Sequence, residues 1–198
     1  MLTTTLGQLL VNDALPEDLR DYNRVLDKKG MTSLLREVAE KHPEKYRDVS
    51  HRLSQVGRTA SQESGGMAFG LQHMRKSIAA TKVRARVKAH MQRILGPDFA
   101  GDSKARSDQL VSAVQREMKG QQEDIFNEAQ AAGNPLATQV ASGTRGNKMN
   151  LASLLGSDLL YSDHHDRPIP IPILHSYSEG LSPSEYWAAT YGARRGVM

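Results

Sequence analysis

The chain has 198 residues, no cysteine, 38% hydrophobic and 5% aromatic side chains, and 26 basic against 22 acidic residues. The missing cysteine excludes disulfides, thiolate metal sites and cysteine nucleophiles, and no apolar run is long enough to span a membrane. A formal net charge of +4 favours polyanionic neighbours only mildly, and the lean apolar content suits long helices that need a partner better than a compact enzyme core.

The amino terminus, MLTTTLGQLLV, has neither a basic region nor a cleavage site, so a cytoplasmic location with no membrane partner is expected. Residues 2–11 mix β-branched threonines with apolar residues and predict a short extended segment, followed by a turn over Asn12–Pro16. Met31, Leu34, Leu35 and Val38 recur at helical spacing, and His42-Pro43 ends that helix. A second helix carries Tyr46, Val49, Leu53 and Val56 on one face. Ser64-Gly65-Gly66 interrupts the pattern, and Met67–Leu71 reads as a short strand.

Two similar segments follow. Residues 75–95 place Ile78, Val83, Val87, Met91 and Ile94 on one side, and residues 104–131 place Leu110, Val114, Met118, Ile125 and Ala129 on one side. Gly96-Pro97-Asp98 separates them, and Gly101-Asp102-Ser103 offers a fresh helix start, which together predict a helical hairpin. Arg75, Lys76, Lys82, Arg84, Arg86, Lys88 and Arg93 form a run without an interleaved acid, either a solvated face or a surface for a polyanion.

Gly133-Asn134-Pro135 closes the second arm. The loop Ser142-Gly-Thr-Arg-Gly-Asn-Lys-Met-Asn150 follows, with two glycines for close backbone approach and Arg145 and Lys148 as charges suited to phosphate oxygens. Leu151, Leu154, Leu155, Leu159 and Leu160 predict a short apolar helix. In Arg167-Pro-Ile-Pro-Ile-Pro-Ile173 the alternate prolines remove donors from one edge, so the segment can pair on one side at most, with the isoleucines facing a core. Ser182, Pro183 and Glu185 make a strong helix start, and the helix carries no stop signal before Met198, which suggests a fragment, a split subunit or an interrupted reading frame.

Asp163-His164-His165-Asp166 is a polar turn rather than a metal site, because adjacent residues rarely converge on one ion. No phosphate-binding Walker loop, dinucleotide fingerprint or nucleophile elbow occurs. No catalytic residue and no metal ligand is therefore assigned.

SGTRGN at 142–147, RPIPIPI at 167–173 and SEGLSPSEYWAATYGARRGVM at 178–198 together resemble the largest subunit (β′) of cellular multisubunit RNA polymerases. There the pattern is close to SGARGN followed by REGLxxxEYFxxTHGARKGL, and TTTLGQLLVNDALP at the amino end is similar to the family's TTxGRxLxxxxLP. Thr144 stands for the usual Ala, Tyr191 for His and Arg195 for Lys. The family's DFDGD magnesium loop and its trigger loop are absent, so the chain is not expected to catalyse alone.

The resemblance implies a mainly α fold with short β segments, completed by partner chains, in three parts. Residues 1–74 would be a pore or funnel-like helical region, 75–132 the helices at the rim of the secondary channel, and 133–198 the SGTRGN loop, a buttressing loop and the start of the bridge helix. Arg145 and Asn150 would meet the incoming nucleotide, while Trp187, Tyr191, Arg194 and Arg195 would lie on the bridge helix. Arg84, Arg86 and Lys88 would face channel-binding regulators. The implied partners are other polymerase subunits, template DNA, RNA and nucleoside triphosphates. No cofactor is expected on this chain itself, with Mg²⁺ expected in the assembled enzyme. The divergence is similar to that of split polymerases of large bacteriophages, which implies a host-cytoplasmic location. The alternative is a non-catalytic polymerase-derived module that captures regulators or nucleic acid.

Overall fold

The computed structural model describes residues 3–197, with side chains described through Tyr191. Those residues form nine α-helices joined by turns and short 3-10 segments, and their β pairing is confined to two antiparallel bridges, Leu159 with Ile173 and Ser162 with Pro168. The fold is mainly α, as expected. Contacts divide the chain into two compact units, Met1–Ala68 with Ala141–Arg145, and Phe69–Val140 with Gly146–Met198.

In the first unit, α1 spans Leu6–Asp13, where an extended segment was expected. The threonines are the reason. Thr5 Oγ1 accepts from the Gln8 N–H (3.3 Å) and Gln8 Oε1 accepts from the Thr5 N–H (2.9 Å), so the β-branched residue caps a helix instead of building a strand. Helix α2 spans Lys28–Lys41 and α3 spans Tyr46–Ser64, close to the expected positions. Asp27 caps α2 by accepting from the Gly30 N–H at 2.7 Å, and His42-Pro43 closes it. Leu34 and Val38 of α2, Val49 of α3, and Leu15 and Leu19 form the buried core of this unit.

The second unit begins without the strand expected over Met67–Leu71. Gly65 and Gly66 both take positive φ, and Leu71–Met74 is a 3-10 turn. Helix α4 (Ile78–Leu95) and α5 (Ser103–Met118) form the expected hairpin, with Asp102 capping α5 through the Ala105 N–H at 2.7 Å. Val83, Val87 and Ile94 meet Leu110, Ala113 and Val114 in its seam. Ile78 departs from the expected apolar face and is 66% exposed. It occupies the first turn of α4, and Ala80 takes the core position there.

The second arm is also broken. Helix α5 stops at Met118, Gly120 turns the chain at φ +83°, and α6 runs over Gln121–Ala131. The break sends the two helices to different cores, α5 to the hairpin seam and α6 to a cluster of Ile125, Phe126 and Ala129 with α7 (Pro135–Ser142) and α8 (Lys148–Leu155). Glu128 of α6 caps α4, accepting from Ser77 Oγ (2.8 Å), the Ile78 N–H (2.8 Å) and the Ala79 N–H (2.9 Å). Burial pushes this carboxyl up, but the three hydrogen bonds prevail and hold it below the ordinary value.

Leu159 and Leu160 lie beyond α8, contrary to the expected apolar helix. Gly156 ends α8, and Leu159 turns at φ +61° into the bridge with Ile173, whose N–H donates to the Leu159 carbonyl at 2.8 Å. The Pro-Ile segment pairs with 159–162, and Ile169 donates to the Tyr161 carbonyl at 2.8 Å. Of its isoleucines, Ile173 is fully buried while Ile169 and Ile171 are half-buried. Helix α9 spans Pro183–Val197.

Candidate functional site

The SGTRGN loop begins where α7 ends at Ser142. Gly143 (φ +70°) and Gly146 (φ +71°) both occupy the left-handed region that favours glycine. Asn147 then caps α8 in a reciprocal box. Its Oδ1 accepts from the Asn150 N–H (2.8 Å), and Asn150 Oδ1 accepts from the Asn147 N–H (3.1 Å). Asn150, expected at the nucleotide, thus spends its carbonyl oxygen on the cap. Replacing Asn147 by alanine should cost about 0.5–2 kcal/mol of second-unit stability, measured by urea unfolding.

Lys148 is also committed locally. Its ammonium pairs with Glu123 and sits 4.5 Å from the Phe126 ring centre, which pins the start of α8 to α6. Arg145 is exposed, and no ion pair among the described residues engages it. Arg145 belongs to the first unit and Asn147–Asn150 to the second.

A network of carboxylates supports the start of α9. Ser182, Pro183 and Glu185 behave as the sequence predicts, with the Ser182 N–H donating to Glu185 Oε2 (2.8 Å) and the Glu185 N–H to Ser182 Oγ (3.4 Å). Glu185 also accepts from the Leu174 N–H (2.6 Å), the His175 N–H (3.1 Å) and His175 Nδ1 (2.7 Å). Burial alone would raise its pKa, yet the bonds from Ser182, Leu174 and His175 outweigh it and hold the carboxyl at about 2.

Arg84 of α4 extends the network. One of its terminal N–H groups donates to His175 Nε2 at 2.6 Å, which leaves the ring proton on Nδ1 for Glu185. The other donates to Glu179 Oε1 at 3.0 Å, where Lys76 also binds at 3.0 Å. Ser176 donates to Glu179 Oε2 through its N–H (3.1 Å) and hydroxyl (3.2 Å). Burial opposes these partners, but Ser176, Lys76 and Arg84 bring Glu179 to about 2. Only the Glu185 cap is visible in the sequence, because Arg84 and Glu179 lie 95 residues apart. The clue lay in two glutamates flanking one helix start.

This geometry bears on the three cations expected to face a partner. Arg84 is held by Glu179 and His175, Arg86 donates to Glu117 at 2.6 Å, and Lys88 is exposed. On α9, Trp187 is 57% exposed and meets Tyr191 edge-on at 5.3 Å, while Tyr186 is 66% exposed. The side chains of Arg194 and Arg195 lie outside the described residues. Asp163 closes its turn by accepting from the His165 N–H (2.8 Å), the Arg167 N–H (3.0 Å) and Arg167 Nε (2.9 Å). Among the described residues no group of three or more metal-binding side chains is placed to hold an ion, and no helix is long and apolar enough to cross a membrane.

Fold and loop together define a helical scaffold segment that presents an exposed arginine on a glycine-flanked loop and a tightly capped helix start beside it in sequence. Across nearly its whole length, the chain is similar in sequence to proteins named DNA-directed RNA polymerase subunit beta'. It is 28% identical over 209 residues to the subunit named DNA-directed RNA polymerase subunit beta' from Hydrogenobaculum sp., covering 98% of this chain and 13% of that protein. The same-named proteins of Aquifex aeolicus and Clavibacter michiganensis are 28% and 27% identical, covering 99% and 100% of this chain. The chain spans 13% and 15% of their lengths. No protein-family model matches it.

Proposed function

We propose that this chain is a segment, or a split subunit, of a DNA-directed RNA polymerase, forming part of the secondary channel and of the active-centre wall along which nucleotides enter. Similarity to β′ across nearly the whole chain, joined to an exposed Arg145 in a glycine-flanked loop, supports this assignment. Arg145 would orient triphosphate charge during phosphoryl transfer, since a fixed guanidinium acts on developing negative charge without reorganising. Helix α9 would be the first half of the bridge helix, and its capped start the fixed end from which that helix projects. The divergent split polymerases of large bacteriophages are the type this reading favours. In this reading Mg²⁺ would be held by partner polypeptides that carry the magnesium loop.

Reconstitution with the polypeptides that carry the magnesium and trigger loops tests the proposal. Arg145→Ala should raise the nucleotide concentration needed for half-maximal single-turnover addition by roughly tenfold or more, the loss of one charged hydrogen bond. Unchanged nucleotide addition would remove Arg145 from the path. A chain that purifies from its native cell as a monomer free of such polypeptides would overturn the assignment as a whole.

A further inference from the structure

The α4–α5 hairpin holds most of the chain's excess positive charge. Residues 75–119 contain eleven basic and four acidic side chains, a formal +7 on a chain whose total is +4. The ion pairs divide this charge unevenly. Lys76 and Arg84 are engaged by Glu179, and Arg86 by Glu117. Elsewhere on the hairpin, an open cleft of about 460 Å³ is bordered by Arg93 of α4, by Gln109, Ser112, Gln115 and Arg116 of α5, and by Lys119 just after it, with no acid in its lining. Arg93 donates one N–H to His90 Nδ1 at 3.3 Å, and Arg93, Arg116 and Lys119 are all exposed. None of the three has an ion pair among the described residues.

We propose that this cleft binds the phosphate backbone of nucleic acid. Positions 109, 112 and 116 follow one face of α5 over about 10 Å at 1.5 Å per residue, and Lys119 follows directly after its last residue. The three cations can meet up to about three phosphates of one strand. The side chains are those that meet phosphate oxygens, namely guanidinium, ammonium, amide and hydroxyl donors. A protein partner would need an apolar or aromatic anchor at the centre of the contact. The cleft offers none, because its apolar lining, Ile94 and Ala113, is 2% and 1% exposed and belongs to the hairpin core. No aromatic lines it for base stacking, so binding is indifferent to sequence. This surface is independent of Arg145 and of the polymerase assignment.

Fluorescence anisotropy of the full chain with labelled single-stranded and duplex 20-mers tests this. Three neutralised phosphates give a log–log salt slope of about −2 for single strands and −3 for duplex, roughly a 20- to 40-fold loss from 50 to 200 mM salt. The triple variant Arg93→Gln, Arg116→Gln, Lys119→Gln should lose at least tenfold in affinity at 50 mM salt and flatten that slope. The charge-matched control Arg36→Gln, Lys41→Gln, Lys45→Gln in the first unit should stay within twofold of the parent, and circular dichroism checks that both variants are folded. A folded cleft variant that binds like the parent overturns the proposal. So does a poly-glutamate peptide that competes as tightly as the oligonucleotide and is lost in the same variant, because the surface would then take acidic protein.

Discussion

Glu185→Ala should lower the unfolding free energy of the second unit by about 2–4 kcal/mol, because it strands several partly buried donors at once. Glu185 is 4% exposed and accepts from Leu174, His175 and Ser182, so alanine leaves three backbone N–H groups and the His175 ring N–H without their acceptor. Glu185→Gln keeps one oxygen and should cost less. The acid dependence has a fixed sign. A folded-state pKa of about 2 against an ordinary 4.5 means that the folded protein binds this proton more weakly than the unfolded chain. Its stabilisation, of order 3 kcal/mol, is complete above about pH 4.5 and is lost as pH falls towards 2. Glu179 adds to the same window. Urea unfolding at pH 7 and pH 3 should show a smaller difference for Glu185→Gln than for the parent. An alanine variant within 1 kcal/mol of the parent would mean that these contacts do not support α9.

The parts of this arrangement that were legible in the sequence are those settled within a few residues. Ser182, Pro183 and Glu185 encode a helix start in consecutive turns, and His42-Pro43 encodes a helix end, since both act through the local backbone. Thr5 misled for an equally local reason, because β-branching favours strands until a glutamine three residues later makes it a cap. Gly120 was illegible as a break because the apolar spacing from Leu110 to Ala129 continues through it. Only packing reveals that α5 and α6 serve different cores. The candidate site divides in the same way. The glycines and cations of the SGTRGN loop were visible, but the engagement of Lys148 by Glu123 and Phe126 depends on residues more than twenty positions away. The same holds for Arg84, whose partners lie beyond the hairpin in sequence.

Gly156→Ala should destabilise the second unit by about 1–3 kcal/mol, the cost of forcing volume into a filled core. A Cβ there would lie 2.5 Å from Ile125 Cδ1, 3.0 Å from the Ala152 carbonyl oxygen and 3.1 Å from Ala80 Cβ, so it would meet α6, α8 and α4 together. Ile125 is fully buried and cannot swing its terminal methyl into solvent. Ile125→Val removes that methyl and alone should cost about 0.5–1.5 kcal/mol. The double variant should therefore be more stable than the two losses added together, a coupling expected of side chains in direct contact. Strict additivity in urea unfolding would show that the clash is relieved by backbone movement instead. That outcome has a functional counterpart, because the same short helix carries the Asn147 cap at its other end. If α8 shifts to accommodate the methyl, hydrogen exchange at the amides of Asn147–Leu151 should speed up in Gly156→Ala and return towards the parent rate when Ile125→Val is added. A junction that yields only through Ile125 would leave those amides unchanged.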